Sequence, residues 1–182
     1  MVSDSAVLMS IRPAYADAIL NGTKTVELRR RRPSFPPGTP VLIYSSSPDQ
    51  RVTGTFDVGR VLAAPPSSLW RRVSGRAGVP RDLFDAYFAG CETAYAIEVL
   101  RPRRLRPTEL PLRPPQSYLI LRRGDPRHAD LLRLAAGERR KRKPASPNTS
   151  QSVAAHLLHK VGRAAAAVPI PRRSPADATA PP

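Results

Sequence analysis

Three charged side chains at short spacing are the first place to look for chemistry. Lys24, Glu27 and Arg29 fall within Gly22-Thr23-Lys24-Thr25-Val26-Glu27-Leu28-Arg29. The chain holds 26 arginines and only 4 lysines, and Lys24 is the sole lysine in its first 140 residues. Arginine stays charged and grips flat anions with a rigid fork, whereas lysine is a compact point charge whose pKa can be moved. A lysine kept among arginines, three residues before a carboxylate and five before a guanidinium, marks a place where the type of charge matters. If the segment is extended, Thr25, Glu27 and Arg29 share one face while Val26 and Leu28 take the other. Glu27 and Arg29 then project together, with Lys24 at the strand entrance. Two chemistries fit. A protonated lysine and an arginine hold phosphate, with Glu27 orienting them or accepting from a base amino group. Alternatively, Lys24 with a depressed pKa and Glu27 form a catalytic acid–base pair. Opposite charges so near keep the lysine protonated, which favours the first. The same three charges also suit an ion-pair network that only stabilises a sheet edge.

Other polar residues join this set. Arg12 follows a short apolar run and adds a second cation for phosphate. Ser45 and Ser46 stand in the hydroxyl-rich Ser45-Ser46-Ser47-Pro48, and Gln116 and Ser117 close Pro114-Pro115-Gln116-Ser117. Hydroxyls and an amide of this kind read ribose and base edges, while Gln116 and Ser117 equally suit a turn that caps a strand. Trp70 offers a stacking face if exposed, although its amphipathic surroundings favour a place in the core.

The elements that must position these groups are legible in outline. Ala6–Ile11 is a continuous apolar run and predicts a buried strand. Pro13 suits the first turn of a helix that carries Tyr15, Ala16, Ala18, Ile19 and Leu20 and stops at Asn21-Gly22. Strands are predicted over Thr25–Arg29, Val41–Tyr44, Val52–Leu62, Thr93–Val99 and Tyr118–Leu121, with Gly54 and Gly59 as bulge or bend positions. Short helices are predicted over Pro66–Val73 and Pro80–Phe88, the latter ending at Gly90, and a last helix runs from an Asp125-Pro126 cap to Ala136. Arg101–Arg106 reads as a basic crossing broken by proline. Six strands and four short helices without regular alternation predict an α+β domain with a curled sheet.

Charge and composition bound the function. Of the formal +16 on 182 residues, +9 lies in residues 1–135 and +7 in residues 136–182. Such a balance favours polyanions, nucleic acid first among them, although an arginine-rich composition by itself produces the same drift. From Glu138 the character changes to Arg139-Arg140-Lys141-Arg142-Lys143 followed by a Pro/Ala-rich end, which predicts a domain over 1–137 and a disordered basic tail over 138–182. His156 and His159 in that tail are ordinary histidines without a third ligand nearby, so no metal site is expected, and no cofactor is implied. Cys91 is the only cysteine and forms no intramolecular disulfide; a small buried thiol is expected. The N-terminus lacks the features of a signal peptide and no run spans a membrane, which predicts a cytoplasmic protein.

Taken together, the motifs resemble a known family. Ser10-Ile11-Arg12-Pro13, a helix, and Gly22-x-Lys24-x-x-Glu27-x-Arg29 are similar to the signature of the ASCH domain, a member of the PUA-like superfamily of small pseudo-barrels. Tyr44–Pro48, Gly54, Trp70, Phe84, Tyr87, Gly90, Tyr95-Ala96-Ile97 and Pro114–Ser117 fit in order, so the resemblance covers residues 6–121. The set is similar to a branch described as predicted transcriptional regulators with a PUA-like domain. The resemblance implies a curled mixed sheet with short flanking helices, and RNA bound in a cleft beneath the motif. In a small subset that hydrolyses acetylated cytidine, the motif lysine works with a threonine three residues later and a glutamate before the second helix. Here residue 27 is glutamate, and Arg71–Arg81 contains no glutamate at all. The expectation is therefore an RNA-binding module, with a hydrolase of a modified cytidine or related nucleoside as the alternative.

Overall fold

The computed structural model describes residues 5–137. The predicted basic tail and its two histidines lie outside the described residues. Six strands form one mixed sheet, flanked by four helices: β1 (Ser5–Ile11), α1 (Pro13–Leu20), β2 (Val26–Arg29), β3 (Pro40–Ser45), β4 (Arg51–Ala64), α2 (Pro66–Ala77), α3 (Arg81–Phe88), β5 (Ala94–Glu109), β6 (Tyr118–Arg122) and α4 (Ala129–Ala135). A 3-10 turn, Pro126–His128, leads into α4, and the Asp125 carboxylate accepts from the Arg127 backbone N–H as the expected cap. The strand order is β2-β5-β4-β3-β1-β6. Only β1 and β3 run parallel; the other neighbours are antiparallel.

Burial explains the apolar runs. Val7, Met9 and Ile11 of β1 join Val41, Ile43, Phe56, Val58, Ile97 and Val99 beneath α1, which contributes Ala16 and Ile19. The alternate residues Ala6 and Leu8 join Leu42, Val52 and Leu121 against Leu131 and Ala135 of α4. A strand covered on both faces has no polar side to show, so β1 reads as an unbroken apolar run. A separate cluster packs Val26 and Leu28 of β2 against Leu69, Val73 and Ala77 of α2 and Phe84 and Phe88 of α3.

The sheet curls through irregularities in β4. Its register with β5 shifts between Val52 and Gly54, Thr55 and Asp57, and Val58 and Val61. At Gly54 an added Cβ would lie 2.7 Å from the Arg103 carbonyl oxygen and 2.4 Å from a Leu20 methyl, so the close approach of β5 and α1 requires glycine.

Three expectations need correction. The segment Arg101–Arg106 is not a crossing but part of the 16-residue β5. Its prolines are tolerated because β2 pairs only with Tyr95–Glu98, which leaves the outer edge of the rest of β5 without a ladder partner among the described residues that would need their N–H groups. Helix α2 does not stop at Val73 but continues to Ala77, where Gly78 takes the left-handed conformation (φ 62°). Cys91 is half-buried rather than buried, and its sulfur accepts a contact from Arg30 Nε at 3.1 Å.

Candidate functional site

Strand β2 is short because both its ends are occupied. The Thr25 N–H donates to Arg76 O at the end of α2, and the exposed Arg30 begins the loop to β3. The alternation along β2 divides its side chains as the sequence predicts: Val26 and Leu28 enter the α2–α3 core, and Glu27 and Arg29 face the other way. That other face is not solvent. Glu27 is 7% exposed, Arg29 9% and Lys24 1%.

The three form one dry network. Glu27 Oε1 lies 3.0 Å from Arg29 Nη2, and Glu27 Oε2 lies 3.6 Å from Lys24 Nζ. The Lys24 ammonium donates to Ala77 O at 2.5 Å and sits 5.3 Å from the centre of the Tyr15 ring. The negative end of α2 favours a cation at that carbonyl. Gly78 makes the fit possible, since an added Cβ would lie 2.9 Å from Lys24 Cβ.

Burial pulls the Lys24 pKa below its ordinary value; Glu27 opposes this in part, and Arg29 adds to it. The sequence reasoning weighed the pairing with Glu27 and omitted desolvation, the larger effect. Lys24 is thus a cation that releases its proton more easily than a solvated lysine.

Arg29 carries the network to the other end of the sheet. Its Nη2 donates to Ser10 O at 3.2 Å and its Nη1 to Ser117 Oγ at 3.5 Å, while its Nε is buried without a partner among the described residues. Ser10 is itself tied to the segment before β6: its N–H donates to Ser117 O and its hydroxyl to Pro115 O. The Ser46 N–H donates to Ile11 O, which places the end of β3 beside the end of β1. Arg12 follows directly, exposed at the start of α1, where its carbonyl accepts from the Tyr15 and Ala16 N–H groups.

The ends of β1 and β3, the start of α1, the segment before β6 and the polar face of β2 therefore converge. Of the residues singled out from sequence, the structure brings together Arg12, Lys24, Glu27, Arg29, Ser46 and Ser117, with Gln116 exposed next to Ser117. Ser45 is buried, and its hydroxyl donates to Asp49 Oδ2 at 2.6 Å. Trp70 is not brought to this group. It packs into the α2–α3 cluster 4.8 Å from Phe84, with the Arg81 guanidinium over its ring at 5.5 Å. Sequence reasoning missed Tyr15, whose ring borders Lys24, and gave Tyr87 no role; only the spacing of Tyr15 within its helix pointed inward. Among the described residues no three of His, Cys, Asp and Glu gather as a metal site, and no helix is long and apolar enough to cross a membrane.

The chain as a whole is similar to known proteins. An ASCH domain-containing ribonuclease of Zymomonas mobilis is 31% identical over 124 residues, spanning 64% of this chain and 84% of that protein. The crystal structure of ASCH from Zymomonas mobilis superposes with a TM-score of 0.65 at 29% identity, covering 71% of this chain and 94% of that one. A serine-to-alanine variant of the same protein gives 0.66 at 27% identity, covering 74% and 99%. The family model for the ASCH domain matches residues 9–103, a span that contains Lys24, Glu27 and Arg29, the end of β1 and the whole of β3, and the chain belongs to the ASCH domain family.

Proposed function

We propose that this protein binds single-stranded RNA where the strand ends converge on Arg29, and that it breaks the RNA backbone there. The observation that carries the reading is the dry Lys24–Glu27–Arg29 network, which holds a guanidinium with an unpartnered Nε between two strand ends. Keeping three ionised groups out of water costs several kcal/mol per ion in order of magnitude, and a sheet edge can be closed more cheaply with apolar residues. The similarity to a protein named a ribonuclease supports the same choice.

In this reading Arg29 and Arg12 hold phosphate oxygens, and Ser117, Ser46 and Gln116 contact ribose or base edges. Scission by the RNA's own 2′-hydroxyl requires one group to take that proton and one to protonate the departing 5′-oxygen. In this assignment Lys24, whose proton is loosened by burial, protonates the departing 5′-oxygen, and solvent water takes the 2′-hydroxyl proton. Glu27 fixes the ammonium and the guanidinium relative to each other, and Arg29 stabilises charge on the phosphate. Residues 1–137 form the binding domain, and the basic segment 138–182 adds affinity independent of sequence. Any part the chain plays in gene regulation, as a cytoplasmic protein, then runs through RNA.

The test is incubation of the full chain with end-labelled single-stranded RNA, single-stranded DNA and acetylated cytidine, for wild type and Lys24→Ala. Cleavage of RNA alone, lost in Lys24→Ala, is the expected result. RNA cleaved equally well by Lys24→Ala sinks the assignment, and turnover of acetylated cytidine in place of RNA transfers the site to nucleoside hydrolysis.

A further inference from the structure

The outer face of α3 is unused by the core. Among the described residues Leu83, Tyr87 and Leu100 are the exposed large apolar side chains, and two of the three lie on α3. Leu83 and Tyr87 are four residues apart and so share one face of the helix. The opposite face already supplies the packing: Phe84 and Phe88 are buried against each other, and Phe84 also against Trp70.

The position of Tyr87 is fixed. The Tyr87 ring meets Phe88 edge-on with centroids 4.8 Å apart, and its hydroxyl reaches Leu28 O at 3.4 Å. Leu28 is the residue between Glu27 and Arg29, so the ring stands at the border of β2, next to the network. Beyond it, Arg30 lies along the end of α3, donating from Nη2 to Ala89 O at 3.1 Å. Arg31 and Arg32 follow, both exposed. The aromatic ring thus stands beside the strand that carries the network's guanidinium, and that strand runs on into three exposed arginines.

We propose that Tyr87, extended by Leu83, is a stacking platform for an unpaired nucleobase, and that Arg30, Arg31 and Arg32 hold the phosphates flanking that base. The proposal rests on the RNA-binding reading above and deepens it: the ligand is single-stranded, and it crosses from the Arg29 contact over α3. Aromatic faces interleaved with cations are how proteins hold single strands, because each base has a π-face whatever its identity. A duplex keeps its base faces stacked inside and offers none to Tyr87. The charge complementarity selects an anionic occupant over an apolar protein surface, since Arg30 is bound to the end of α3 and the exposed Arg31 and Arg32 follow it directly in the chain.

The experiment measures binding of the full chain to a short 2′-fluoro RNA strand, which lacks the nucleophilic hydroxyl, by fluorescence anisotropy. A series of strands each missing one base is compared with the intact strand. One abasic position is expected to weaken binding to wild type by about ten-fold, and Tyr87→Ala to weaken binding to the intact strand by about as much. In Tyr87→Ala the abasic penalty disappears, while Tyr87→Phe behaves as wild type. Arg31→Ala and Arg32→Ala each lower the slope of log affinity against log salt by about one, without moving the abasic position. Equal affinity of all abasic strands for wild type overturns the platform without requiring any variant to fold. Retention of the abasic penalty in Tyr87→Ala overturns it too. The two readings fail separately: unaltered affinity in Tyr87→Ala with loss in Arg29→Ala removes only the platform, whereas no affinity of wild type for RNA removes both.

Discussion

Arg29 of β2 donates to the carbonyl oxygen of Ser10 in β1 at 3.2 Å, although three strands separate β2 from β1 in the sheet. The bond joins one edge strand of the curled sheet to the strand next to its other edge, across a gap that no backbone ladder closes among the described residues. Its donor is the same guanidinium that pairs with Glu27 at 3.0 Å. Closure of the fold and assembly of the charged site therefore share one side chain.

Removing that guanidinium should harm both. Arg29→Ala leaves Glu27 buried with only Lys24 at 3.6 Å, and an uncompensated buried partner costs about 3–5 kcal/mol. Chemical denaturation should show a loss of that size. Arg29→Lys keeps the charge but not the fork that reaches Glu27, Ser10 and Ser117 together, so RNA affinity should stay low even where stability partly returns. A lysine variant with wild-type affinity would show that charge alone suffices.

Lys24 should leave a mark on stability at alkaline pH. Its folded pKa lies below the unfolded value of 10.5, so between the two the unfolded chain binds more protons. The folded state carries the full cost of the buried ammonium below the folded pKa. That cost is relieved as pH rises through the window, so this group makes stability increase with pH up to the unfolded value. Denaturation of wild type and Lys24→Met across neutral to alkaline pH should show wild type gaining on the variant. Parallel curves would mean that the ammonium is no easier to deprotonate in the fold than in water.

Two glycines of one segment should respond in opposite directions. Gly78→Ala forces a side chain into a left-handed backbone, at about 1–2 kcal/mol, and drives its Cβ to 2.9 Å from Lys24 Cβ. Both melting temperature and RNA cleavage should fall. Gly75, inside α2, has no atom within 4 Å of an added Cβ, so Gly75→Ala should raise stability by about 1 kcal/mol and leave cleavage alone. Equal effects at the two positions would mean that Gly78 does not set the place of Lys24.

The two faces of α3 should separate just as clearly. Phe84 is 1% exposed between Trp70 and Phe88, so Phe84→Ala should cost about 3–5 kcal/mol in denaturant unfolding. Leu83, at 49% exposure, should change stability by less than about 0.5 kcal/mol when truncated.

Much of this was legible in the chain before any coordinates. The alternation of Val26, Glu27, Leu28 and Arg29 foretold that the two charged groups share a face, because a strand has a fixed period of two. It did not foretell that this face is covered, since the cover comes from Ser10, Ser117 and Ala77, which are distant in sequence. Burial then reversed the direction in which Lys24 is displaced, an effect that the pairing with Glu27 alone cannot reveal. Arg101–Arg106 was misread for a related reason. Its prolines are strand breakers only where a neighbour needs their N–H groups, and the reach of β2 is decided by tertiary structure. Trp70 went to the core as its helix pattern favoured.

The unpaired outer edge of β5 has a consequence for the protein in a crowded solution. A long bare strand edge is a template on which another chain can add a strand, and repetition of that step builds aggregates. Along this edge Pro102 and Pro107 withhold two amide donors, the positive φ of Arg101 interrupts the regular extended backbone, and Arg103, Arg104 and Arg106 are exposed. A second copy approaching edge to edge meets missing donors, a bent backbone and like charge together. The residues that looked like a broken loop in the sequence thus keep the longest strand of the sheet from recruiting its own kind.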